Sequence, residues 1–168
     1  MNEYNPEILI SEEEIQIRLN DLAMAINKDF ADEELTVICV LKGAFMFCSD
    51  LIKLIDLPIK LEFMDLSSYG DGMTSSGEVK INLDIESTIK DRNVLIVEDI
   101  IDSGLTLNSL MQTLKFRKPK DIRIATLLFK PARASLDYEI DYLGFEVDDK
   151  FVVGYGLDYA GRYRELPY

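Results

Sequence analysis

The sequence contains no histidine. That absence removes the Ser-His triad, the commonest metal ligand and the usual general base near neutral pH. Carboxylate, lysine and tyrosine side chains must then carry any chemistry. Cysteine is scarce as well. Cys39 and Cys48 are the only two, they lack CxxC spacing and they lie within apolar runs. This argues against a disulfide scaffold or a structural zinc site and predicts a reducing compartment. Bases are few beside acids, 18 Lys and Arg against 31 Asp and Glu, for a net charge of −13. A surface this negative repels nucleic-acid phosphates and anionic lipid at ordinary salt, so neither nucleic acid nor membrane is an expected partner. No apolar run approaches the roughly 18 residues of a membrane span, and Met1-Asn2-Glu3-Tyr4 lacks the basic and apolar regions of a signal peptide. A cytoplasmic protein is predicted.

What is present is globular. With 168 residues, 48% hydrophobic and 29% charged, the chain has room for one domain with a full core, expected to span residues 1–168. Ser11-Glu12-Glu13-Glu14 has the form of a capping box, and Ile15, Leu19, Leu22 and Ile26 follow at helical spacing. Leu35 to Leu41 is a short β-branched run of the kind buried on both faces of a sheet, and Lys42-Gly43 ends it. Ala44 to Ile55 suits a helix, and Ile59 to Leu66 alternates like a strand. Ser67 to Gly77, rich in Gly and Ser, reads as an exposed mobile loop, with Val79 to Leu83 pairing on its far side. Val94 to Val97 is a further buried strand, Thr106 to Leu114 a helix, Ile122 to Phe129 a strand, and Phe151 to Gly154 the last strand-like run. Alternating β and α units predict an α/β fold with a mostly parallel central sheet flanked by helices, whose ligands sit beyond the carboxyl ends of the strands.

The most informative stretch is Asn93 to Leu107, where a buried strand runs into Glu98, Asp99 and Asp102 before Ser103-Gly104-Leu105-Thr106 opens a helix. Two carboxylates about 5 Å apart repel by roughly 3 kcal/mol at an effective dielectric near 20, so placing them together needs hydroxyl donors, a cation or a raised pKa. A sugar and a divalent metal both serve. Gly104 permits a tight turn, and amides at the helix start, with the Ser103 and Thr106 hydroxyls, form a nest suited to phosphate. Carboxylates beside a phosphate cradle point to a phosphorylated sugar. The bland alternative is an acidic turn with Ser103 as helix N-cap.

VLIVEDIIDSGLT, residues 94–106, resembles the phosphoribosyl-pyrophosphate signature of type I phosphoribosyltransferases. Four further segments resemble the hypoxanthine(-guanine) members of that family in matching order. They are Leu41-Lys42-Gly43, the loop from Ser68-Tyr69 to Val79, Leu128-Phe129-Lys130-Pro131, and Phe151-Val152-Val153-Gly154-Tyr155 through Asp158-Tyr159. Ala160-Gly161-Arg162 matches no motif of the family.

The resemblance implies the type I phosphoribosyltransferase fold with a small hood formed from the chain ends. It also implies transfer of ribose 5-phosphate from phosphoribosyl pyrophosphate to N9 of a 6-oxopurine, as in purine salvage, with magnesium as cofactor. On this reading Glu98 and Asp99 hold the ribose hydroxyls that contact magnesium, and Asp102 sits beside purine N7 as proton acceptor or donor. Asp102, Ser103, Gly104, Leu105 and Thr106 bind the 5′-phosphate, while Leu41, Lys42, Gly43 and Arg164 bind pyrophosphate. The family has a non-proline cis peptide at the position of Leu41-Lys42. Phe151 stacks on the purine, Val152 offers backbone polar groups, Lys130 donates to the 6-oxo oxygen, and Asp158 serves the base's far edge and a second magnesium. Ser68 and Tyr69 belong to a mobile loop that closes over the reacting centre. A homodimer or homotetramer is implied by family.

Taken singly, each of these has a plainer reading. Lys42 reads as a solvated strand cap, Phe151 as a core aromatic, and Lys130 as a buried stem with an exposed ammonium. The order of the matches selects the functional reading. Gly72-x4-Gly77 and Gly156-x4-Gly161 look like phosphate-loop fragments, but neither is followed by the required Lys and Ser/Thr. A signalling receiver domain also uses a strand-end acid pair and a Lys-Pro dipeptide, yet its acids follow the first strand, whereas here they cluster late. A non-catalytic sensor of phosphoribosyl pyrophosphate and a phosphoribosyltransferase for a different base remain the alternatives.

Overall fold

The structure, a computed structural model, describes residues 7–68 and 79–168. The first helix forms as α1, Glu12–Asp29. At its start the Ser11 hydroxyl accepts from the Glu14 amide at 3.3 Å and the Glu14 carboxylate accepts from the Ser11 amide at 2.8 Å. This reciprocal cap satisfies amides that a helix start otherwise leaves without partners. Ile15, Leu19, Leu22 and Ile26 are buried along its inner face.

Six strands form one sheet: β1 (Leu35–Leu41), β2 (Ile59–Ser68), β3 (Val79–Leu83), β4 (Asn93–Ile101), β5 (Asp121–Phe129) and β6 (Tyr142–Glu146), in the order β3-β2-β1-β4-β5-β6. Every neighbouring pair is parallel except β2 and β3. Two helices join the strands, α2 (Phe45–Leu54) between β1 and β2 and α3 (Leu105–Phe116) between β4 and β5. Side chains alternate across β1 and β4, so Val37, Cys39, Leu95 and Val97 pack with α1 and α2 while Ile38, Val40, Val94 and Ile96 pack with Leu107, Leu110 and Leu114 of α3. Burial on both faces is why these strands read as unbroken apolar runs. The connections leave adjacent strands β1 and β4 toward opposite faces, which opens a crevice beyond their carboxyl ends. Cys39 and Cys48 are free and buried. Among the described residues no helix is long and apolar enough to cross a membrane.

Two expectations change. Ser67 and Ser68, assigned above to a loop, belong to β2, where they pair with Lys80 and Val79 of β3. Tyr69 and the rest of that loop lie outside the described residues. Phe151 to Gly154 is no strand: Gly154, at φ +99°, makes only an isolated bridge to Leu157. The sixth strand is Tyr142–Glu146 instead, parallel to β5. Gly144 at its centre dilutes the strand signal, but a Cβ there would lie 2.2 Å from the Leu127 carbonyl oxygen. Arg18 of α1 donates to the Leu143 and Gly144 carbonyls at 2.6 and 3.0 Å, which covers acceptors of this edge strand.

The two ends of the described chain meet over the β5–β6 edge. Ile8 and Leu9 face Phe151, Val152 and Tyr168 across a cavity of about 270 Å³ floored by Leu127 and Phe145.

Candidate active site

The crevice predicted by the topology is built first from the end of β4. Glu98 is buried, and burial together with the Asp99 charge raises its proton affinity well above the ordinary carboxylate range. Burial raises Asp99 too, opposed by the Ile100 amide, which donates at 2.8 Å, and by the Arg164 charge. Facing Asp99 is the turn that ends β1. The Leu41–Lys42 peptide is cis, Lys42 is exposed, and Gly43 is packed so closely that a Cβ would sit 1.5 Å from Asp99 Oδ2. A side chain there would displace the Asp99 carboxylate.

The chain's last segment closes on the same turn. A Cβ at Gly156 would lie 2.0 Å from the Gly43 carbonyl oxygen, and Arg164 donates to the Gly156 carbonyl at 2.5 Å. Arg164 Nη2 also pairs with Asp158 Oδ1 at 2.7 Å, while Asp158 Oδ2 accepts from the Gly161 amide at 2.7 Å. Arg164 and Asp158 are thereby fixed beside the Leu41-Lys42-Gly43 turn.

Beyond β4 the chain turns into α3. Gly104, at φ +84°, is the capping residue and has no side chain to offer the first-turn amides; Ser103 Oγ accepts weakly from the Leu105 amide at 3.4 Å. Ser103 is therefore not the N-cap, and the helix start presents amides suited to an anion. Leu41, Glu98, Asp99, Asp102, Gly104 and Thr106 line one cavity of about 230 Å³. The acid pair, the β1 turn and the helix start are thus brought together.

The third part follows β5. Lys130 is only 6% exposed, and its Nζ lies 3.4 Å from Asp149 Oδ1 and 3.8 Å from Asp102 Oδ2. Arg133 reaches the same two carboxylates, with Nε 3.0 Å from Asp102 Oδ1 and Nη1 3.2 Å from Asp149 Oδ1. Lys130 is thus no buried stem with a solvated tip. Phe151 is no core aromatic either: it is 69% exposed and meets Tyr159 edge-on at 5.7 Å. Phe151 and Val152 line the larger, apolar cavity, which Lys130 and Asp158 do not. Arg133 and Asp149 were not among the sequence candidates. The only signal was a Lys and an Arg three residues apart across a turn after a strand, where the Arg133 amide donates to the Lys130 carbonyl at 3.2 Å. Among the described residues no three His, Cys, Asp or Glu side chains converge as a metal cluster, so Glu98, Asp99 and Asp158 do not form a cage.

Comparison with known proteins meets this geometry. A family model described as the phosphoribosyl transferase domain matches residues 8–160. The chain belongs to the phosphoribosyltransferase family. It is 53% identical over 161 residues to the hypoxanthine-guanine phosphoribosyltransferase of Bacillus subtilis (strain 168), spanning 96% of this chain and 89% of that protein. It is 43% identical over 171 residues to the hypoxanthine phosphoribosyltransferase of Haemophilus influenzae, spanning 100% and 96%. The crystal structure of a hypoxanthine-guanine phosphoribosyltransferase from Bacillus anthracis, with a HEPES molecule in its active site, matches at TM-score 0.93 and 46% identity over 97% of this chain and 96% of that one. The phosphoribosyltransferase fold expected from the five ordered segments is the fold observed, a mostly parallel six-stranded sheet with flanking helices.

Proposed function

We propose that this phosphoribosyltransferase serves purine salvage, moving ribose 5-phosphate from phosphoribosyl pyrophosphate to N9 of hypoxanthine and/or guanine to form IMP or GMP and release pyrophosphate. The observation that carries this reading is the single cavity shared by the buried acid pair Glu98 and Asp99, the Leu41 end of β1 and the uncapped start of α3. A sugar bearing an anion at each end suits those three features. The carboxylates accept from the ribose 2′- and 3′-hydroxyls, which relieves their mutual repulsion. The Asp102 to Thr106 turn receives the 5′-phosphate on amides and hydroxyls, and Leu41, Lys42, Gly43 and Arg164 receive the pyrophosphate.

On the base side, Lys130 donates to the 6-oxo oxygen, Phe151 stacks on the ring, and Val152 and Asp158 offer backbone polar groups to its edge. Asp102 accepts the N7 proton as positive charge develops at the anomeric carbon, the part of a general base. Arg133 lies against Asp102 Oδ1, so Oδ2 is the oxygen left to accept from the base. The segment that follows Ser68, from Tyr69 on, excludes water that would hydrolyse the donor.

The donor set fits magnesium, an oxygen-seeking ion that keeps several waters and is held by one or two carboxylates plus substrate phosphates. Glu98 and Asp99 would hold it through the ribose hydroxyls and its waters, and Asp158 would do so on exchanging its Arg164 and Gly161 contacts. When bound, it neutralises the charge developing on pyrophosphate. One catalytic domain over residues 1–168, a homodimer or homotetramer, and a cytoplasmic location complete the reading. The test supplies phosphoribosyl pyrophosphate, magnesium and a panel of bases and identifies the nucleotide formed. IMP or GMP supports the proposal; no nucleotide with any base overturns it and favours a sensor.

A further inference from the structure

Two further charged side chains touch the pair of Asp102 and Lys130, Arg133 at Asp102 and Asp149 at Lys130. The Lys130 ammonium has two carboxylates within reach, Asp149 at 3.4 Å and Asp102 at 3.8 Å, and its side chain is too buried to turn toward water. At such distances, in a site shielded from water, attraction between opposite charges is strong, so the partner Lys130 takes is set by its neighbours. Were Asp102 its only partner, the ammonium would close on it. The proton acceptor would then be blocked, and the donor meant for the 6-oxo oxygen would be spent on protein.

Arg133 sits against both carboxylates. Its Nε lies 3.0 Å from Asp102 Oδ1 and its Nη1 3.2 Å from Asp149 Oδ1, so one planar group spans both carboxylates and supplies the second positive charge of a balanced set of four. The contact to Asp102 is close but not aligned as a hydrogen bond, because Oδ1 is buried with no hydrogen-bond partner. Arg133 thus balances the Asp102 charge from the Oδ1 side and leaves Oδ2, 3.8 Å from Lys130 Nζ, to face the base. At the other end it does donate, to Asp149, which accepts from Lys130 as well. Arg133 also holds the Asp149 carboxyl below the ordinary range.

We propose that Arg133, anchored on Asp149, is a positioning residue that holds Lys130 and Asp102 apart, so that one is free to donate to the base and the other to accept from it. The proposal rests on the roles assigned above to Asp102 and Lys130. Lysine cannot substitute fully, since a point charge has no fork to reach both carboxylates.

Steady-state kinetics on Arg133→Gln, Arg133→Lys, Asp149→Asn and the Arg133→Gln/Asp149→Asn double variant, with hypoxanthine and adenine as bases, test it. Arg133 is half exposed, and a melting curve for each variant checks that the fold survives. Arg133→Gln should lower kcat/KM for hypoxanthine by roughly 10- to 100-fold, the cost of misplacing reacting groups by about an ångström. It should leave the KM for phosphoribosyl pyrophosphate unchanged and shrink the preference for hypoxanthine over adenine. Arg133→Lys should recover part of the loss, and Asp149→Asn should reproduce it. The double variant should be little worse than either single one, as expected for two parts of one anchor. An unchanged base preference, an equal loss of affinity for donor and base, or full additivity of the two substitutions would overturn the proposal. Asp102→Asn run in parallel separates the two levels. If that variant turns over normally, the reading of Asp102 falls and the positioning role with it. If it is impaired while Arg133→Gln keeps the wild-type preference, only the role of Arg133 is lost.

Discussion

At the end of β4, burial holds Glu98 and Asp99 above the ordinary carboxylate range, helped at Glu98 by the Asp99 charge, whereas on the base side each carboxylate, Asp102 and Asp149, has a cation 3.0 to 3.8 Å away. The donor side of the crevice is electrically incomplete and is completed by what binds there. The base side is already balanced, so a base must enter an existing network and take one donor from it. Affinity on the first side should therefore depend on charge, and discrimination on the second side on geometry.

Lys130 should separate the two sides of the crevice most strongly. An ammonium has only donors, so it meets an acceptor in a 6-oxopurine and an amino group in adenine. Sites built around one polar contact discriminate by roughly 10⁴ to 10⁵-fold, and wild-type kcat/KM should favour hypoxanthine over adenine on that scale. Lys130→Gln should shrink the ratio, because an amide presents either an oxygen or an NH₂. Comparable wild-type values for the two bases would defeat the assignment. Next in size is Asp102→Asn, which keeps the shape and loses the proton acceptor. Turnover should fall by about 10² to 10⁴-fold with donor affinity retained, as pre-steady-state measurement of the chemical step would reveal.

The same contrast governs what could be read from sequence. The donor side lies almost wholly in one stretch, where strand, acids, glycine turn and helix start are consecutive, so residues 94–106 carried their own context. The base side is drawn from residues 102, 130, 133 and 149, which meet only in three dimensions. Arg133 is marked only by its place three residues after Lys130, and Asp149 by nothing, because an ion pair needs proximity and not periodicity. The misplaced last strand has a related cause. Phe151, Val152 and Val153 have strand-forming composition, but a strand exists only with a ladder partner, and β5 takes Tyr142–Glu146. Gly144 conceals that partner while making its close approach to Leu127 possible.

On the donor side, Gly43→Ala tests whether steric fit matters as much as charge. The new methyl would occupy the space of Asp99 Oδ2, forcing the carboxylate or the turn to move. Displacement of about an ångström costs roughly 10²-fold where reacting groups must be aligned. kcat/KM for phosphoribosyl pyrophosphate should fall on that scale while the KM for the base holds. Wild-type values for both substrates would mean the turn has slack that the packing denies.

The smallest effect is on stability, and it isolates the charge of Glu98 without any substrate. In the folded protein Glu98 keeps its proton to a higher pH than in the unfolded chain, because burial and the Asp99 charge both oppose ionisation. The native state therefore binds more protons than the unfolded state, and stability falls as pH rises from the unfolded value of about 4.3 toward the raised folded one. Above that window the penalty is constant. Glu98→Gln has no proton to lose and keeps nearly the same volume, so it should match the wild type near pH 4 and exceed it in stability at neutral pH. For a chain of this size each kcal/mol shifts the melting temperature by roughly 2–4 °C. The variant should lose donor affinity while gaining stability. A melting temperature below that of the wild type at neutral pH would show that the Glu98 carboxylate is already compensated within the free protein, and the contrast between the two sides of the crevice would fail at its first term.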